Sequence, residues 1–224
     1  MRRAAAAGWT GSIVFGQEEE FWFQLGRGLR VAMRLIVPVL LLLASFLAIS
    51  LYIDTPASNI VGKPDAHWLT VGYLLIPVSF LCVVLTNRRY GPAYALAQVV
   101  LALVAATAFV VIVAPGLKPY FRTMPDMRFA VAFGAAFFLA SFVSIVVFES
   151  ARGPRWWKAP LLAMLTAAVI FGLVFYPVAY SDLPDWPHRM TVHLEFLLSL
   201  AVLSLVPYWI LRAFVPPLPG FNGY

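Results

Sequence analysis

The side chains in this sequence that could do chemistry are few, and their spacing excludes most reactions. His193 and Glu195 stand two residues apart in an apolar stretch. Residues two apart on a helix point in different directions, so one metal ion does not easily take both. His67 and His188 fall in the polar segments on the same side, and the three histidines read as a polar cap on one mouth of a helical bundle, within reach of a solute. Glu149 ends another apolar run, where a carboxylate can snorkel to the headgroups. No carboxylates at helical spacing suggest a proton relay, and no arginine ladder suggests a voltage sensor. Cys82, the single cysteine, admits neither an internal disulfide nor a thiolate metal site. With no Ser-His-Asp set, glycine-rich phosphate loop or Cys/His zinc spacing, the chain reads as a non-enzyme with no cofactor and no metal.

The polar groups inside the apolar runs are Gln98, Thr107, Ser141, Ser144, Thr166, Ser199 and Ser204. Hydroxyls in membrane helices commonly bond their own backbone or a neighbouring helix. The Gln98 amide must find a partner inside the bundle, which makes it the leading intramembrane contact for a solute. Ala102/Ala106, Ala136/Ala140 and Ala163/Ala167 are small pairs four residues apart and predict close helix packing. Pro77, Pro177 and Pro207 are expected to interrupt the second, fifth and sixth helices, each freeing a carbonyl that must face protein or a water-filled cavity. Broken helices of this kind offer backbone polar groups to a solute without a buried charge.

The elements that must carry these groups follow from composition. The chain has 224 residues, 62% hydrophobic and 12% charged, against about 45–50% and 25% in soluble domains, which excludes a water-soluble globule, a disordered tail and a nucleic-acid-binding module. A hydrocarbon core about 30 Å thick needs about 20 apolar residues of helix. Six such runs occur: 35–53, 68–86, 93–114, 129–148, 159–180 and 192–215. None alternates with the period of a barrel strand. The expected fold is therefore all-α, a polytopic six-transmembrane-helix bundle in contact with the lipid bilayer.

Lys and Arg place the termini. Eleven fall on one side, namely Arg2, Arg3, Arg27, Arg30, Arg34, Arg88, Arg89, Arg152, Arg155, Lys158 and Arg212; five fall on the other, Lys63, Lys118, Arg122, Arg128 and Arg189, beside Asp54, Asp65, Asp126, Asp182 and Asp185. Both termini are thus expected in the cytoplasm, in a bacterial-type inner membrane. Residues 1–30 are read as a cytoplasmic or interfacial arm, 31–215 as the transmembrane domain and 216–224 as a short tail. The arm is not a cleavable signal, because its basic start and short Ala run lead into Glu18, Glu19 and Glu20. Phe15, Phe21, Trp22, Phe23 and Leu25 beside Arg27 and Arg30 fit either a short interfacial helix, an ordinary juxtamembrane lead-in or a partner-binding arm.

The stretch Phe80-Leu81-Cys82-Val83-Val84-Leu85-Thr86-Asn87-Arg88-Arg89-Tyr90-Gly91 resembles the signature of the vitamin-uptake-transporter-like family, whose best-known class imports queuosine precursors, the deazapurine bases of tRNA modification. Ser58-Asn59, Trp68, Pro77, Arg128 and Trp156-Trp157-Lys158-Ala159-Pro160 match in order and spacing, from about residue 31 to 215. The departures lie at polar positions. Val83-Val84 stand where the family has Thr-Asp, Ser141 and Ser144 where it has Gln and Asp, Ala168 and Phe171 where it has Asn or Gln and Asp, and the sixth-helix Lys has no Lys counterpart. A base left without matching donors and acceptors loses about 1–3 kcal/mol per group.

Two readings follow. In one, the chain is a small-solute carrier of this family with a more apolar specificity, its pocket lined by Gln98, Ser141, Ser144, Thr166, Tyr73, His193 and Glu195. In the other, the scaffold serves as a non-transporting accessory subunit or assembly factor, docking on membrane-complex partners through residues 1–30.

Overall fold

The computed structural model describes residues 9–57, 68–113 and 127–218, and among these the side chains of Phe23 and of Leu25 onward. Ser58, Asn59, Lys63, His67, Lys118, Arg122 and the tail beyond Leu218 lie outside the described residues, as do the side chains of Phe15, Phe21 and Trp22.

The apolar runs form helices because a chain in hydrocarbon must satisfy its backbone internally. In order they are α1 (Trp9–Leu51), α2 (Val71–Tyr90), α3 (Pro92–Ala108) continued by a π-helical turn (Phe109–Val113), α4 (Met127–Ser150), α5 (Lys158–Tyr180), α6 (Trp186–Leu203) and α7 (Leu205–Leu211). Six spans long and apolar enough to cross a membrane result, with α6 and α7 together making the sixth. The described residues contain no strand, and the one bridge is Pro56 to Thr70. The fold is the expected all-α six-helix membrane bundle. Its sixth span opens earlier than the apolar run, at Trp186, because Asp185 sits at the N-cap and Pro187 in the first turn, where its missing N–H costs nothing.

The chain divides after Val37. In the first unit, Met1–Val37, Arg30 Nε donates to Gly26 O at 3.2 Å and the Arg27 guanidinium stands 5.1 Å from the Phe23 ring centre. The second unit, Pro38–Tyr224, holds the bundle.

There α2 is the central post, in contact with α3, α4, α5 and α6. The α4 and α5 helices pack along most of their length, as their alanines permit: Ala136, Ala140, Ala163 and Ala167 are fully buried. Ala102 is buried as well. The start of α2 meets the end of α1 at Gly72, where a Cβ would stand 2.6 Å from Ile49 O and 3.1 Å from Ile53 Cα. Only glycine fits that approach, which Gly72 N–H to Tyr52 O at 2.9 Å and Val71 N–H to Thr55 O at 2.8 Å hold in place.

The prolines behave differently from expectation. Pro77 and Pro177 lie inside unbroken helices, as does Pro38 in α1. Packing on both sides holds the α2 and α5 segments helical despite the lost hydrogen bond. Only Pro207 accompanies a break, at Ser204, whose hydroxyl bonds back to Leu200 O at 2.7 Å and so competes with the helical ladder.

Candidate functional site

The centre of the bundle is filled by aromatic rings. Phe80 of α2 stacks on Phe137 of α4 at 5.0 Å and 9°, Phe171 stacks on Phe175 within α5 at 5.2 Å, and Phe133 joins the two groups. Phe171, fully buried, thus fills the centre with a ring rather than a polar group. Val84 belongs to a separate buried cluster with Phe148, Met164 and Tyr208.

Toward the end where α5 passes into α6, polar atoms reappear. Pro77 has no N–H, so the Tyr73 carbonyl lacks its helical donor. His193 Nε2, 3.4 Å from Tyr73 O, stands in that place. This geometry puts the proton on Nε2 and leaves Nδ1 as an acceptor, which has no partner among the described residues. The His193 ring lies 5.1 Å from Tyr73 and 5.6 Å from Tyr176, whose hydroxyl is also unpartnered. The hydroxyls of Tyr73 and Tyr180 hydrogen-bond to each other. Above this cluster Arg189 bonds Asp185 at 2.7 Å and lies over Trp68. That bond holds the exposed Asp185 carboxyl below its ordinary range. Arg128, opening α4, ties the end of α5 through Val178 O at 2.9 Å, Ser181 Oγ at 2.7 Å and Asp182 at 2.8 Å.

Beside the cluster lies a cavity of about 420 Å³ between α1, α3 and α4, its walls including Phe46, Leu103, Ala106, Phe129, Phe133 and Gly134. Ser50 and Thr107 supply its hydroxyls. Phe129 is the shared wall, since its ring also meets Tyr73 and Phe175. That size falls in the range of about 300–1,000 Å³ usual for small-molecule sites.

The seven residues singled out from the sequence separate into distinct places. Tyr73 and His193 come together in the aromatic cluster. Glu195, two residues on, is exposed, as their helical spacing requires. Gln98 is fully buried, but its Nε2 donates to Pro38 O at 2.8 Å and its Oε1 has no partner among the described residues. Ser141 on the adjacent α4 is likewise buried with an unpartnered hydroxyl, Ser144 is buried, and Thr166 is half-buried. None of the seven lines the cavity. Among the described residues no three His, Cys, Asp or Glu side chains converge. Tyr176, Tyr180 and Ser50 were not legible as site residues. Pro77 standing four residues after Tyr73 was the available signal for a freed carbonyl.

Residues 70–212, from the start of α2 to the end of α7, match the family model named "Putative vitamin uptake transporter". The chain belongs to that family. The match to the vitamin uptake transporter family begins after α1, so the α1 wall of the cavity lies outside it. No curated protein and no solved structure matches the chain. A multi-pass membrane protein of transporter type is what the family and the six spans establish together.

Proposed function

We propose that the chain is a carrier for a small, largely apolar solute, and that the cavity between α1, α3 and α4 receives its apolar body. The apolar lining of this 420 Å³ space carries the reading. The unpartnered Gln98 Oε1 and Ser141 Oγ supply acceptor positions for a polar group of the solute when the bundle opens, because buried polar atoms without partners are costly unless water or ligand meets them. Tyr73 and His193 form a second polar group behind Phe129, and Ser144, Thr166 and Glu195 complete the proposed solute contacts. The end bearing Arg88, Arg152 and Arg212 is the cytoplasmic one in this reading, which sets both termini in the cytoplasm of an inner-membrane protein.

The test is uptake into proteoliposomes from a mixture of small aromatic and aliphatic metabolites, read by mass spectrometry. Gly134 faces open space on the cavity wall, so Gly134→Trp should abolish uptake of any accumulated solute without lowering the unfolding temperature. Unchanged uptake would refute the cavity as the site. The aromatic packing at the centre favours a second reading, an accessory subunit docking through residues 1–30. No uptake of any component, with a stoichiometric protein partner retained in mild detergent and lost on deletion of residues 1–30, would establish it.

A further inference from the structure

The end of the bundle opposite the aromatic cluster is strongly basic. Arg88 and Arg89 close α2, Arg152, Arg155 and Lys158 lie between α4 and α5, and Arg212 ends α7. Among the described residues one carboxylate stands with them: Glu149, held by Arg152 through two bonds of 2.7 and 2.9 Å. Arg152 also donates to Asn87 O at 3.0 Å, bringing it beside Arg88.

Exposed lysines and arginines would satisfy the charge bias of membrane topology by themselves. Here the charge is drawn inward. Arg88 is only 6% exposed. Its Nε donates to Val215 O at 3.0 Å and its Nη1 reaches the Tyr208 hydroxyl at 3.5 Å, both uncharged partners. Arg212, half-buried, lies 4.7 Å from the centre of the Trp156 ring. Neither has a carboxylate partner among the described residues. The Arg88 guanidinium also lies 5.9 Å from the centre of the buried Tyr208 ring, one turn before Arg212. Arginine is rarely buried without a counter-charge, and like charges gathered at one end of a bundle repel one another.

We propose that this end holds the phosphate of an anionic phospholipid, of the phosphatidylglycerol type, with Arg88 and Arg212 as its principal donors. A planar guanidinium fork matches phosphate oxygens in pairs. Trp156 and Trp157 stand at the level where indoles anchor in the headgroup layer. The apolar cluster beneath, including Leu85, Leu165 and Leu211, offers a wall for the acyl chains. Phosphate in a soluble molecule shares the headgroup chemistry but not this wall.

The full chain, stripped of lipid in detergent, is titrated with phosphatidylglycerol, phosphatidylcholine or inorganic phosphate. Bound adducts are counted by native mass spectrometry and unfolding is followed by heating. Phosphatidylglycerol should be retained preferentially and raise the unfolding temperature, with a preference that shrinks as salt screens it. Arg212→Gln should lower that preference about fivefold, from the roughly 1 kcal/mol that one basic residue contributes at an anionic membrane surface. Arg88→Gln should do the same, but it also removes the bond to Val215 O, so Arg212→Gln decides. Equal retention of the two lipids, or no effect of Arg212→Gln, overturns the proposal. Equal stabilisation by inorganic phosphate overturns the lipid in favour of a soluble phosphate group.

Discussion

If His193 replaces the donor that Pro77 lacks, the two residues must be energetically coupled. His193→Phe keeps a ring of similar size against Tyr73 and Tyr176 but removes the Nε2–H that faces Tyr73 O. Hydrogen bonds between membrane helices average about 0.6 kcal/mol and reach about 1.7. The 3.4 Å separation is long, which argues against the upper end, so a loss of about 1 kcal/mol is expected, or about 2–4 °C in unfolding temperature for a chain of this size. Pro77→Ala returns an N–H to residue 77, and the ordinary helical bond to Tyr73 O can then form. In that background His193→Phe should cost almost nothing. The measurement is a double-mutant cycle by thermal unfolding in detergent, read with a thiol-reactive dye on Cys82, the single cysteine. Distant independent sites add within about 0.3–0.5 kcal/mol. Equal costs of His193→Phe in the two backgrounds, within that margin, would refute the substitution of histidine for the missing backbone donor.

Three further expectations rest on separate contacts. Gly72→Ala places a methyl 2.6 Å from Ile49 O and should destabilise by about 1–3 kcal/mol through overpacking, whereas Gly134→Ala meets nothing within 4 Å and should be neutral or stabilise by up to about 1 kcal/mol; thermal unfolding separates them. Glu149→Gln, which leaves the buried Arg152 without its carboxylate, should lower the unfolding temperature more than Asp182→Asn, since the Arg128–Asp182 pair is exposed and exposed pairs are worth about 0–1 kcal/mol. Asp185 has a folded-state pKa depressed by its bond to Arg189, so the small stability it contributes is present above the ordinary carboxylate range and lost as pH falls through the lowered value; Asp185→Asn should flatten the acid limb of unfolding temperature against pH.

The architecture was open to sequence reasoning because hydrocarbon imposes one rule, that about 20 apolar residues become a helix; the second to fifth runs obeyed it within a few positions, while the first helix begins well before its apolar run, at Trp9. The α6 boundary moved because Pro187 in the first turn and the Asp185–Arg189 bond along it, rather than hydropathy, start that helix. The site was less legible. Gln98 was correctly expected to need a partner, but the sequence could not tell a solute from a backbone carbonyl, and Pro38 O takes its amide. Prolines were expected to break helices, yet α2 and α5 are packed on enough sides to stay continuous. The cavity was invisible because its walls are ordinary apolar side chains, and only three-dimensional packing distinguishes a lining from a filled core.

The chain segment after α7 closes back over the end of α2. Arg88 Nε bonds Val215 O at 3.0 Å, and Leu218 N–H bonds Arg88 O at 3.0 Å, so one residue grips the strap at both ends. The two partners are 127 positions apart in sequence. During synthesis Arg88 emerges long before Val215 exists, so this clasp can fasten only after the sixth span has been threaded through the membrane. It is a completion seal: a chain stalled or truncated before Val215 leaves Arg88 without that acceptor at the basic end.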